Sequence, residues 1–320
     1  MNSVEPDLAC GLAKTGNSSV VNASDDTGCV HSIAAHIIPV SVIIVTKNEE
    51  ENLPRCLRAL GGFGQVIVVD SNSADQTADI AKKMGAECES FVWNGAYPKK
   101  RGWCLAHLNI KYDWVFFVDA DEVVTPRLKY EIAAFVKAPD PDDIAGLFID
   151  GRYVWGGRKL GFGACNSKIS LFHKDRMGFP VVDDLHIDGM GEIEGHYQPV
   201  LNSVFKQGQS ARYKLAKLPG FVWHFIDDQK RWSRRHFSYA SWEAQMNKDD
   251  LWPQDPSSLR QMLKKIFRSA PFRGFIVFFH SYIYKLGFLD GLAGFDFAHK
   301  RGSYYRLIGV LGKDLNKRSE

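Results

Sequence analysis

PVSVIIVTKNEEENLPRCLRALGGFGQVIVVDSN (39–72) decides the fold of this 320-residue chain. Val40–Thr46 and Gln65–Asp70 are unbroken, β-branched apolar runs, as expected of strands buried on both faces of a parallel sheet. Between them Leu53, Leu57 and Leu60 recur at helical spacing. Working outward, Ile80 and Met84 mark a second helix behind the start signal Ser73/Asp75, and WVFFVDAD (114–121) is a third buried strand. Strand and helix in alternation imply right-handed crossovers and an α/β, doubly wound, mostly parallel sheet. Ligands bind such sheets beyond the carboxyl ends of the strands. The three ends here are Thr46-Lys47-Asn48-Glu49, Asp70-Ser71-Asn72-Ser73 and Asp119-Ala120-Asp121-Glu122, so three polar clusters are expected at one crevice.

The flanks of this unit differ from it. Residues 1–38 are rich in Ser, Asn, Ala, Gly and Asp without periodicity and read as a disordered leader. Glu5 and Asp7 stand where a signal peptide carries Lys or Arg, and six scattered cysteines (10, 29, 56, 88, 104 and 165) form no CxxC pair, so a reducing cytoplasm is expected. Overall charge is nearly balanced, 40 basic against 37 acidic residues, and excludes little. Its distribution is uneven: residues 257–320 hold twelve Lys or Arg against four Asp or Glu.

The most informative motif is VDADE (118–122). Carboxylates at i and i+2 leaving a buried strand repel one another unless a cation lies between them. Hard oxygen ligands of this kind suit Mg²⁺ or Mn²⁺ bound together with substrate phosphates. The alternative is a strand-end turn capped by Asp. Taken with VSVIIVTKNEEENLPRCL and VIVVDSNSADQT in the same order, FFVDADE resembles the family 2 glycosyltransferases of GT-A fold over residues 40–150. The resemblance implies that Thr46, Asn48 and Glu49 lie at a nucleotide, that Asp70 reads the base, that Asp119 sits near ribose and metal, and that Asp121 is the principal metal ligand. Lys99, Lys100 and Arg101 would reach the diphosphate, or else form a solvated helix start.

An inverting transferase also needs a carboxylate on the acceptor side to deprotonate the attacking hydroxyl. Candidates gather in DDLHIDGMGEIEGHYQP (183–199), where Glu192, Glu194 and His196 share a face if the segment is extended. GEIEGHYQP is similar to a segment of the subgroup making lipopolysaccharide and exopolysaccharide sugars. Glu194 ranks ahead of Glu192, with Asp184 third; the alternative is a loop whose carboxylates bond backbone or pair with Arg212. His186, His196 and His224 have spacings of no standard zinc site and read as neutral, buried or substrate-facing residues.

These readings divide the chain into the leader (1–38), a GT-A domain (39–225) with a nucleotide-sugar half (39–145) and an acceptor half (146–225), and a helical, basic-aromatic extension (226–320). The extension's apolar stretch 274–298 is interrupted by His280, Lys285 and Asp290, too short for a spanning helix. It would lie on an anionic membrane through residues 260–306, with Lys264, Lys265, Arg268 and Arg273 at the headgroups, or pack on the domain. The expected partners are a nucleotide sugar, UDP-linked by the resemblance, and a lipid-linked glycan acceptor, with no nucleic acid. The place is the inner face of the cytoplasmic membrane. The rivals are a nucleotidyltransferase, disfavoured because TKNEEEN lacks the glycines of a phosphate loop, and a catalytically silent glycan-binding protein.

Overall fold

A computed structural model describes residues 37–138, 143–194, 197–202, 213–253 and 258–317; the expected disordered leader lies outside them apart from its last two residues, as do His196 and Arg212. The three apolar runs are strands β1 (Ile38–Thr46), β2 (Phe63–Asp70) and β4 (Trp114–Asp119). Helices α1 (Leu53–Ala59), α2 (Thr77–Lys83) and α3 (Lys100–His107) connect them, with a short edge strand β3 (Glu87–Ser90) that the sequence reading passed over. Then follow β5 (Glu122–Val124), α4 (Pro126–Lys137), β6 (Ile144–Trp155), β7 (Arg158–Lys159), β8 (Asn166–His173), β9 (Met177–Gly178), β10 (Val200–Leu201) and β11 (Lys214–Ile226). The chain continues through α5 (Gln229–Lys248), α6 (Ser258–Ser269), α7 (Arg273–Phe279), a π-helical turn (His280–Tyr284), a 3₁₀ turn (Gly287–Asp290) and α8 (Gly291–Lys317).

One sheet runs in the order β3-β2-β1-β4-β8-β6-β11-β5, with β7 on β6. Its first four strands are parallel, β8 is antiparallel to both neighbours, and β11 runs parallel to β6 and antiparallel to β5. The mixed α/β architecture with C-terminal helices is the GT-A class expected from the motifs. β1 is buried on both faces because its side chains alternate between two apolar layers. Val42 and Ile44 join Leu53 and Leu57 of α1, Ala81 of α2 and Leu128 of α4. Ile43 points the other way, to Cys104 of α3, Phe117 and Phe172. Register then aligns the polar ends, since Thr46 pairs with Asp70 and Val45 with Asp119.

Asp228 caps α5, accepting from Lys230 N (2.8 Å) and Arg231 N (2.9 Å). This start aims one turn of α5 at the β1–α1 loop. The final helices are bolted to the domain by carboxylates: Asp290 accepts from Gly161 N (3.0 Å) and Phe162 N (2.9 Å), and Asp296 from the Trp155 indole (2.7 Å). Arg273 corrects the expectation placed on it. It is buried and donates to the carbonyls of Tyr305 and Arg268 (both 3.2 Å), tying α7 to α8 rather than facing headgroups.

Candidate active site

The loops after β1 and β2 are stitched into one wall. Asn48 and Asn72 take left-handed backbone (φ 54° and 49°), which Asn tolerates better than most residues. Asn48 N donates to Ser73 Oγ (2.8 Å), Ala74 N to Asn48 Oδ1 (2.8 Å) and Glu49 N to Thr77 Oγ1 (2.9 Å). Asp70 is buried and accepts from Thr46 Oγ1 (3.1 Å), Ser73 N (2.8 Å) and the Ser73 hydroxyl. Asp70 therefore carries the turn with both oxygens.

Glu49 and Lys100 also have tasks that their neighbours in sequence did not disclose. Glu49 is nearly buried, and its Oε1 accepts from Arg231 (2.8 Å) and Arg235 (2.9 Å) of α5. Arg231, Arg235 and Tyr239 lie one turn apart on a stripe that runs from this loop toward the β4 end, where Tyr239 feels both Asp119 and Asp121. The two guanidinium groups are a third or more exposed, so the contact is worth little to global stability. Glu49→Gln is accordingly expected to speed amide exchange over Gln229–Arg235 while moving the thermal midpoint little; unchanged exchange would show that α5 needs no such anchor. Lys100 is buried under the wall. Its ammonium donates to the Thr46 carbonyl (2.6 Å) and lies 3.7 Å from Glu192 Oε1, and burial lowers its pKa against the opposing pull of Glu192. This placement corrects the reading of Lys100 as a phosphate contact.

At the β4 end two carboxylates expected to act together are separated in role. Asp119 Oδ1 accepts from Arg101 (2.7 Å) and Oδ2 from Lys168 of β8 (2.7 Å). Burial would raise its pKa, but these two cations reverse that and hold the carboxyl well below the usual range. Each Asp119 oxygen is thus already paired with a cation, unlike Asp121 Oδ1. Arg101 likewise spends its guanidinium here. Lys168 also lies 2.8 Å from Glu122 Oε1 as an ion pair without hydrogen-bond alignment.

Asp121 differs. Its Oδ1 is buried and has no hydrogen-bond partner, while Oδ2 lies 3.5 Å from His224 Nε2. His224 comes from β11, brought there by pairing with Glu122 of β5 and by the Phe225 N–H donating to the Asp121 carbonyl (2.8 Å). Burial alone would lower the His224 pKa; Asp121 and Glu122 reverse this and raise it well above its ordinary value. Among the described residues no group of three or more His, Cys, Asp or Glu is arranged to hold a metal. Asp121 and His224 are the pair that could hold one, because a 3.5 Å separation of Asp121 Oδ2 and His224 Nε2 is one that a single divalent cation at about 2.1 Å from each could span. An orphaned carboxylate oxygen beside them fits that group. The sequence did not place His224 beside Asp121, although its inward phase between Val222 and Ile226 was visible.

The three candidate bases also part company. Asp184 is wholly buried and accepts from Lys99 Nζ (2.7 Å), Tyr97 OH (2.7 Å) and the Trp242 indole (3.3 Å). With its oxygens enclosed it bolts the 183–194 loop to α5, correcting its assignment as a base, and Lys99 serves the same pair. Glu194 is buried with Oε1 accepting from Gly102 N (2.8 Å) in the first turn of α3, and its charge acts on Arg101 of the Asp119 cluster. Glu192 is half-buried beside Lys100. Both glutamates therefore flank the crevice at α3.

Two mutually braced loops and a buried acidic motif thus meet at the carboxyl ends of the parallel strands. Over residues 41–191, just under half of its length, the chain matches the family model "Glycosyl transferase family 2". It is similar to an uncharacterised glycosyltransferase of Rickettsia typhi, 31% identical over 143 residues covering 44% of this chain and 48% of the relative. A second, from Rickettsia conorii, is 37% identical over 94 residues, 29% of this chain and 32% of the relative. The chain thus spans about half or less of these relatives' length. Among solved structures, Staphylococcus aureus TarS aligns over 85% of this chain and 55% of its own, with TM-score 0.43 and 16% identity. The Mycobacterium tuberculosis glucosyl-3-phosphoglycerate synthase, solved with Mn²⁺, UDP and glucosyl-3-phosphoglycerate, aligns over 63% of this chain and 77% of its own, with TM-score 0.36 and 17% identity.

Proposed function

We propose that this protein is an inverting glycosyltransferase that moves a hexose from a UDP-linked donor to a lipid-linked glycan acceptor, in lipopolysaccharide or exopolysaccharide assembly at the inner face of the cytoplasmic membrane. The observation that carries the reading is Asp121, whose unpartnered buried oxygen and His224 neighbour lie at the meeting point of the three strand ends. Asp121 and His224 would hold Mg²⁺ or Mn²⁺. When bound, that ion acts as a Lewis acid on the departing diphosphate.

The chain's own residues do the rest. The Thr46–Glu49 and Asp70–Ser73 loops form a rigid wall for the nucleotide, because each is braced by the other's side chains. Arg101 and Lys168 hold Asp119 ionised beside it. The acceptor hydroxyl attacks the anomeric carbon as the bond to the diphosphate oxygen breaks, and Glu194 takes the hydroxyl proton. Glu194 suits this role better than Glu192, since one of its oxygens is fixed by Gly102 N while Glu192 leans on Lys100. Base catalysis of this type is worth about 10² to 10⁴ in rate. Glu194→Gln is expected to lower kcat by that factor with little change in donor binding, and Glu192→Gln by only a few-fold. The reverse order would move the base to Glu192. The donor itself is tested with a panel of nucleotide sugars, scored by thermal stabilisation with and without Mn²⁺; no metal-dependent shift with any of them would sink the transferase reading.

A further inference from the structure

The C-terminal helices are built inside out. Of the 23 large apolar side chains that are exposed among the described residues, 13 fall between Met262 and Phe295. Phe272 at the N-cap of α7 and Phe275, Ile276 and Phe279 within it recur at helical spacing on one outward face, with Phe275 63% and Phe279 56% exposed, and Leu292 at the start of α8 is 84% exposed. The inward face sets Gly274 beside the buried Arg273 and Val277. A Cβ on Gly274 would lie 2.7 Å from the Gly302 carbonyl oxygen, and one on Gly302 would lie 2.8 Å from that of Gly274. α7 and α8 therefore meet backbone to backbone, the packing by which helices associate in lipid, where apolar bulk gains nothing from being turned inward. Ring contacts of Phe278 and Tyr282 with Phe295 make the pair one continuous body.

Beside this body α6 is exposed along 261–266, with Met262, Leu263 and Ile266 on its apolar side and Lys264 and Lys265 among them. No helix among the described residues is long and apolar enough to cross a membrane. An amphipathic helix with lysines, next to a glycine-tight hairpin with aromatic and aliphatic groups outward, has the complementarity of a lipid leaflet: apolar below, anionic at the surface. The opposite side of the hairpin is fixed to the domain through Asp290 and Asp296.

We infer that α7, the turns after it and the start of α8 embed in one leaflet as a wedge, with α6 at the headgroups, so that attachment is held by apolar insertion and only tuned by the basic residues. This rests on the membrane-associated reading above and replaces electrostatic attachment with insertion. The test is flotation of the full chain with vesicles of phosphatidylcholine, alone or mixed with phosphatidylglycerol. At about 1 M salt, where charges are screened within about 3 Å, the protein is expected to remain bound. Phe275→Asp combined with Phe279→Asp is expected to cut the bound fraction at least about tenfold, with circular dichroism unchanged because both positions are exposed. Lys264→Ala with Lys265→Ala should alter only the preference for anionic vesicles, and only at low salt. Release by salt would overturn the inference. So would a failure to float together with a dimer in sedimentation that the Asp pair dissociates, since the face would then belong to a second copy. Metal-dependent donor turnover, followed in parallel without vesicles, separates the two readings: turnover without flotation sinks the wedge alone, and flotation without turnover sinks the transferase alone.

Discussion

Asp121→Asn is expected to reduce sugar transfer by about 10³ or more while leaving the protein folded. The substitution keeps the shape of the side chain but removes the charge on Asp121, whose Oδ1 has no hydrogen-bond partner. A Lewis-acid contribution of several kcal/mol is then lost, and each 1.4 kcal/mol or so is about tenfold in rate. Stability should change little for a second reason: His224, raised in pKa by Asp121 and Glu122, retains Glu122 as a partner 3.6 Å from its Nδ1. The comparison with Asp119→Asn gives the assignment its edge. Asp119 faces Arg101 and Lys168, so its loss leaves two cations to find other partners, and that variant should lose both activity and stability. Measured turnover, Mn²⁺ titration and thermal midpoints for both variants decide the matter. Near-normal transfer by Asp121→Asn would remove the basis of the proposed function.

The largest effect on folding is expected from Asp184→Ala. Its carboxylate is paired with the Lys99 ammonium at 2.7 Å, and both side chains are essentially closed to solvent. Removing one member of a buried pair leaves an uncompensated charge and costs about 3–5 kcal/mol. Tyr97 OH and the Trp242 indole lose an acceptor as well. For a chain of this size that corresponds to a fall in thermal midpoint on the order of 5–10 °C. Lys99→Met combined with Asp184→Leu should recover part of the loss, because an apolar pair needs no desolvation. Loss of transfer by Asp184→Asn at unchanged stability would instead return Asp184 to the list of candidate bases.

These two aspartates show how differently the chain could be read. Asp121 was legible because the motif that presents it is local: a buried apolar strand must end where its carboxylates begin, and strand period alone fixes that point. Asp184 stood among five acidic residues in a Gly-rich loop, where no periodicity ranks one above another. Its burial depends on Trp242 of α5 and Lys99 of the α3 start, 58 and 85 residues away. Arg273 was misread for the same reason, since its charge suggested solvent while its partners are backbone carbonyls of two helices.

By itself the sequence determined the parallel half of the sheet, the crevice at its carboxyl edge and the acidic motif within it, because apolar period and strand ends are short-range properties. Tertiary structure alone decided how charge is shared there. Lys168 and His224 arrive on β8 and β11 through antiparallel and edge pairings, and Arg231 and Arg235 on a helix, 182 and 186 residues beyond Glu49. Which carboxylate is neutralised and which keeps a free oxygen follows from those long-range neighbours, since electrostatic partners are set by distance in space, which no local pattern encodes.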